Sequence, residues 1–161
     1  SKIECVGSIM GMTKNEIDFY NNKLFEEISE LETESSRGER KKIIYILSMQ
    51  SGSPLIAGSN TSGNGLISLV GGINPLSSFE GWKPVGTESI IQAEPDLIII
   101  SERGLKGFGT IEELRNHPAL YLTPAAQNNN ILALDGMASL GFGPRTIGTA
   151  LQIAKTLNAS H

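Results

Sequence analysis

The chain has 161 residues, 39% of them hydrophobic, which is enough for one compact domain with a substantial core. Thirteen Lys and Arg against 17 Asp and Glu give a formal charge of −4, which argues against a nucleic-acid surface, because phosphate binding needs a clustered basic face and Arg40-Lys41-Lys42 is the only basic run. No apolar stretch approaches the length of a membrane span, and the single Cys5 has no partner for an internal disulfide.

Ile3, Val6 and Met10 recur at helical spacing and stop at Gly11, predicting a short helix that carries Cys5 as a buried or half-buried thiol. Thr13-Lys14-Asn15-Glu16 has the spacing of a capping box. Behind it, Ile17, Tyr20, Leu24, Ile28 and Leu31 form one apolar stripe, so an amphipathic helix is expected from about Lys14 to Ser35, with Glu26, Glu27, Glu30, Glu32 and Glu34 as a solvated face. Residues 43–47 lack polar alternation, as a strand covered on both faces does. Gly52-Ser53-Pro54 is expected to break that strand, residues 55–57 to form a second, and residues 58–63 to turn into a helix with Leu66, Ile67, Leu69 and Val70 as its apolar positions, ended by Gly71-Gly72.

Farther along, Thr87 is expected to cap a short helix closed by Pro95, and residues 97–100 read as a central buried strand. Residues 110–115 form a helix that must end before Pro118, residues 131–134 another strand, and Pro144 suits the first turn of a final helix to about Leu157. The alternation predicts an α/β fold, a three-layer lobe with a mostly parallel central sheet flanked by helices.

Candidate chemistry is sparse. Residues 58–65 set small side chains before a helix N-terminus, as a phosphate loop does, but lack the Lys-Ser/Thr pair of a nucleotide loop and the Gly-x-Gly-x-x-Gly spacing of a dinucleotide site. A Rossmann-type enzyme domain using that loop is the rival reading. His117 precedes Pro118 in a loop and His161 is terminal; neither has metal-ligand spacing, and no nucleophile context is recognisable. No catalytic or metal-ligating residue is therefore assigned.

Four motifs carry a more specific signal: Leu69-Val70-Gly71-Gly72-Ile73-Asn74-Pro75, Gly81-Trp82-Lys83-Pro84-Val85-Gly86-Thr87-Glu88, Glu94-Pro95-Asp96-Leu97-Ile98-Ile99-Ile100 and Leu140-Gly141-Phe142-Gly143-Pro144-Arg145-Thr146. Together they resemble the C-terminal lobe of haem-binding periplasmic proteins that feed ABC importers. The resemblance implies two lobes joined by one long helix, with residues 1–36 as the interlobe segment, residues 37–161 as the C-terminal lobe and an N-terminal lobe absent from this chain. It also implies a non-enzymatic periplasmic component of a haem or iron-chelate importer. Haem (hemin) would be the transported ligand rather than a catalytic cofactor, and an inner-membrane permease the partner. Cobalamin and ferric siderophores are alternative ligands on the same scaffold.

Arg145 lies at the mouth of an α/β sheet, where ligands bind beyond the strand ends. Its guanidinium could grip a carboxylate through two hydrogen bonds while Phe142 supplies a flat apolar surface, which suits an aromatic plate with two propionates. It could equally tie down its own loop carbonyls, and the resemblance favours the pocket. Arg103-Gly104-Leu105, directly after the central strand, matches the family pattern and makes Arg103 a second cleft residue. Met49, after the first strand, and Met137, in the loop after the last, hold similar positions, where a thioether can flank haem iron or fill an apolar gap. The resemblance implies that residues 58–65 line the cleft and that the main iron ligand comes from the other lobe. It also makes Glu88 the exposed acid that meets a permease arginine, away from the cleft.

Overall fold

The computed structural model describes residues 2–50, 53–141 and 143–159. The chain opens with α1 (Lys2–Ile9) and α2 (Lys14–Ser35). The capping box forms as the sequence dictates: Thr13 Oγ1 accepts from the Glu16 N–H, and the Glu16 carboxylate accepts from the Thr13 N–H at 2.8 Å. The bond from the Thr13 backbone, then that from its hydroxyl, holds the Glu16 carboxyl below its ordinary pKa. This contribution to stability is present above the ordinary carboxylate value and is lost as pH falls through the lowered one. Thr13→Ala should fray the start of α2 and cost about 0.5–2 kcal/mol, read as a lower urea midpoint at unchanged slope.

The apolar stripe of α2 is covered unevenly. Leu31 is buried and Leu24 and Ile28 are half-buried, whereas Tyr20 is 53% exposed and its neighbours Phe19 and Phe25 are 65% and 71% exposed. The second half of α2 packs along α9 (Pro144–Ala159), so its acidic side is not uniformly solvated. Glu30 pairs with Lys155 at 2.6 Å, and half-buried Glu34 accepts from Asn158 Nδ2 at 2.8 Å and from Arg37 at 2.7 Å. Cys5 is exposed, contrary to expectation. Its helix packs on the start of α2, and the contact is made by Gly7, where a Cβ would come within 2.8 Å of Ile17 Cγ1.

Five strands form one sheet: β1 (Ile43–Gln50), β2 (Ser53–Ala57), β3 (Trp82–Pro84), β4 (Leu97–Ser101) and β5 (Ile131–Leu134), in the order β3-β2-β1-β4-β5. β1 pairs with β4 and β4 with β5 in parallel, while β2 is antiparallel to both β1 and β3. All strands but β2 therefore run the same way, and their carboxyl ends share one edge. β1 ends at Gln50 as expected, but Ser53 and Pro54 already belong to β2, opposite Gln50 and Met49, and Gly52 lies outside the described residues.

Period-two alternation in the central strands builds the layers. Ile44, Ile46, Ile98 and Ile100 face one side, where α4 (Thr87–Ala93), α5 (Glu102–Phe108), α6 (Ile111–Arg115) and α7 (Pro124–Gln127) supply Ile90, Leu105, Leu114 and Ala125. Ile43, Tyr45, Leu97 and Ile99 face the other, against α2, α9 and α3 (Ser62–Leu69), with α8 (Gly136–Leu140) contributing Leu140. Gly71 ends α3 at φ +78°, and a Cβ there would overlap the Ser35 carbonyl at the end of α2, so both conformation and space require glycine. Two local expectations differ. Thr87 is the first residue of α4 and Gly86 its cap, with no side-chain capping bond. The sequence reading also missed β3, α5, α7 and α8.

Candidate functional site

The shared carboxyl edge gathers most of the residues singled out from sequence. At the end of β1, half-buried Met49 packs against the Ile44 side of the core. At the end of β4, Ser101 Oγ accepts from the Gly104 N–H at 3.0 Å and donates to the Leu47 carbonyl at 2.6 Å, tying the start of α5 to β1. That tie sets exposed Arg103 beside Met49. Both line an open cleft of about 350 Å³, together with Leu47, Ser48, Ser101 and the glycine backbone of α5. No carboxylate is among its lining residues.

Beyond β5, Asp135 Oδ1 accepts from the Ala138 N–H at 2.8 Å and starts α8. Met137 therefore sits on a helix, not in a loop, and is 71% exposed. The following turn is held by buried Thr146, whose Oγ1 accepts from the Gly143 N–H at 3.1 Å while its own N–H donates to the Gly143 carbonyl at 2.9 Å. This places Arg145 in the first turn of α9, exposed, and α9 then runs down to Asn158 at the end of α2. Neither the Arg145 nor the Arg103 guanidinium pairs with a described residue. Met137 and Arg145 reach the same edge as Met49 and Arg103 but do not line their cleft. Phe142 lies outside the described residues.

Exposed Glu88, in the first turn of α4, leaves the sheet from that same edge at the β3 flank, with β2 between it and the cleft strands. Residues 58–65 do not line the cleft. β2 carries them away from the carboxyl edge, and protein fills the space their glycines leave: a Cβ on Gly58 would overlap Phe79, and one on Gly63 would meet Ala57, Trp82 and Tyr45 at 2.8–3.2 Å. A larger cavity of about 490 Å³ lies at the opposite edge, but its polar groups serve the strand entrances. Asp96 accepts there from the Lys42 N–H at 2.8 Å and Asn130 Nδ2 donates to the Asp96 carbonyl at 3.1 Å. His117 is structural, its Nδ1 accepting from the Ala119 N–H at 3.2 Å and its ring set edge-on to Phe108; His161 lies outside the described residues.

In open α/β sheets ligands bind beyond the carboxyl ends of the strands, which is the edge that Met49, Arg103, Met137 and Arg145 reach. Residues 1–138 match the periplasmic binding protein family, and the chain belongs to that family. Among solved structures it is similar to the periplasmic heme-binding protein HutB of Vibrio cholerae, at 31% identity and TM-score 0.77 over 96% of this chain and 60% of that one. It is also similar to the periplasmic heme-binding protein RhuT from Roseiflexus sp. RS-1, at 25% identity and TM-score 0.81 over 98% of this chain and 61% of the other. A periplasmic heme-binding protein from Pseudomonas aeruginosa shares the fold, at 22% identity and TM-score 0.73 over 98% and 58%. The chain thus spans about 60% of the length of these three structures. No curated protein matches it. Among the described residues no helix is long and apolar enough to cross a membrane.

Proposed function

We propose that this chain is the C-terminal lobe and connecting helix of the substrate-binding component of a bacterial haem ABC importer. The observation that carries the reading is the arrival of Met49, Arg103, Met137 and Arg145 at one sheet edge with both guanidiniums uncommitted. A porphyrin presents a polarisable plate and two carboxylates. Thioethers suit the plate and planar guanidiniums suit the carboxylates. The V. cholerae and Roseiflexus proteins, both named as heme-binding, support the same ligand. In this reading the lobe closes over haem as a carrier, without catalysis, in the periplasm. In the same reading the exposed Phe19, Tyr20 and Phe25 of α2 are the surface that an N-terminal lobe would cover. A Rossmann-type enzyme site lacks its loop, since Gly58 and Gly63 are already packed on protein.

Glu88 is the proposed contact to the permease. An exposed acid at a helix start is favoured by the helix dipole, and an exposed ion pair contributes only about 0–1 kcal/mol, so its work is orientation and encounter rate. Glu88→Ala should leave folding and ligand affinity unchanged but lower reconstituted haem uptake. Glu88→Arg should lower it further by setting like charges together. Normal uptake with the arginine variant at limiting carrier concentration would remove Glu88 from the interface.

Ligand identity is tested by titrating the full-length carrier with hemin, cobalamin and a ferric siderophore. A saturable change in the Soret band with hemin, and no competition from the other two, is the expected result. Saturable binding of either competitor with no hemin response would assign the scaffold to that ligand instead.

A further inference from the structure

On the α2 and α9 side of the sheet, Tyr45 is fully buried and edge-to-face with Trp82, yet its hydroxyl is satisfied by an element at the rim of the site. Tyr45 Oη lies 2.9 Å from Ser139 Oγ on α8, and Ser139 is itself fully buried. Ser139 Oγ donates to the Asp135 carbonyl at 2.7 Å. One proton arrangement satisfies every atom: Tyr45 O–H donates to Ser139 Oγ, whose own hydrogen goes to Asp135. Asp135 in turn caps α8 through its carboxylate. A buried hydroxyl pair of this kind fixes geometry, because Tyr45 Oη without it would be desolvated and unpaired, and Ser139 would keep only its bond to the Asp135 carbonyl.

α8 also packs on α9 and α3. It is five residues long, is capped by Gly141 and carries 71%-exposed Met137 six residues before the Gly143-Pro144-Arg145 corner. Tyr45 supplies a hydrogen bond from the sheet to α8, and Leu140 packs into the core on that side. Burial raises the Tyr45 phenol above its ordinary pKa, with the Asp135 charge adding to the rise against the Ser139 bond, so it remains a donor near neutrality.

We propose that Tyr45 is a positioning residue for the ligand site: its hydrogen bond to Ser139 docks α8 on the sheet and thereby sets Met137 and the corner that presents Arg145. This inference rests on the haem-carrier reading, in which those residues face the ligand. It predicts an asymmetric effect within the site, because Met49 and Arg103 stand on β1 and α5 and owe nothing to α8.

The test uses the full-length carrier and the variants Tyr45→Phe, Ser139→Ala and both together, with hydrogen exchange of the α8 amides, Met methyl NMR and hemin titration. Tyr45→Phe keeps the ring and its packing, so exchange in β4 should be unchanged while α8 exchanges about 3- to 10-fold faster, the range a net hydrogen bond of this class supports. The Met137 methyl resonance should move or broaden with Met49 unaffected, hemin affinity should fall by a similar factor, and the double variant should be no worse than either single one. Unchanged α8 exchange in Tyr45→Phe would overturn the docking role. Faster α8 exchange with unchanged hemin affinity, or equal disturbance of Met49 and Met137, would overturn the positioning role. A wild-type carrier that does not bind hemin would overturn the haem reading and the ligand half of this inference, whereas the exchange measurement tests the docking half separately.

Discussion

Replacing Gly104 with alanine should destabilise the protein by about 1–3 kcal/mol or more, a drop in melting temperature of about 2–4 °C for each kcal/mol. A Cβ at this buried position would overlap the Leu47 carbonyl oxygen and stand 2.9 Å from both its carbon and Ser101 Oγ. Backbone cannot swing aside as a side-chain tip can. Relief would require α5 to lift from β1, which would break the Gly104 N–H bond to Ser101 Oγ and open the floor of the cleft. Gly107, three residues along the same helix and exposed, has nothing within 4 Å of an added Cβ. Gly107→Ala should therefore be neutral or stabilising by about 0.4–1 kcal/mol, through a less flexible unfolded chain and better helix propensity. Thermal melts of the pair check the argument. Equal shifts for the two alanines would mean that α5 is not held against Leu47.

Arg145→Ala, in the full-length carrier, should weaken hemin binding by about 1.5–3 kcal/mol, on the order of 10- to 150-fold, by removing a charge-assisted bond to a carboxylate. Its guanidinium makes no bond to a described residue, and the turn around it is held instead by Gly143 and Thr146, so the alanine variant should melt like the parent. That separation of affinity from stability marks a ligand contact. Arg145→Lys should recover only part of the loss, since it keeps the charge but not the planar fork. An unchanged hemin titration with alanine would leave Arg145 without a part in binding.

The sequence was readable where one local rule dominates. The helix over Lys14–Ser35 follows from a capping box and a single stripe, and β1, β4 and β5 from short apolar runs without polar alternation. The reading failed where tertiary contacts override propensity. α5 contains Gly104 and Gly107, which disfavour helix, yet it forms because Gly104 lets it approach β1 and Ser101 caps it; Ser101 three residues before a glycine was the available signal. β3 has three residues and ends in proline, tolerable because it is an edge strand. The extra burial of Glu34 could not be read from a glutamate-rich face, since it depends on where α9 lies. In the site, position at the carboxyl edge was legible for Met49 and Arg103 because strand ends mark it. The division between their cleft and the flank of Met137 and Arg145 was not, because the short α8 that creates it carries no strong helical pattern. Tyr45 and Ser139 are 94 residues apart, and no local pattern joins them.

Hydrogen exchange of the full-length carrier with and without hemin tests the central claim most directly. The account predicts protection on hemin addition at residues 47–50, 101–108 and 135–146, at the carboxyl edge, with the strand entrances around Lys42, Asp96 and Asn130 unchanged. Protection centred on that opposite edge, or a hemin complex that leaves the carboxyl edge exchanging as in the free protein, would contradict it.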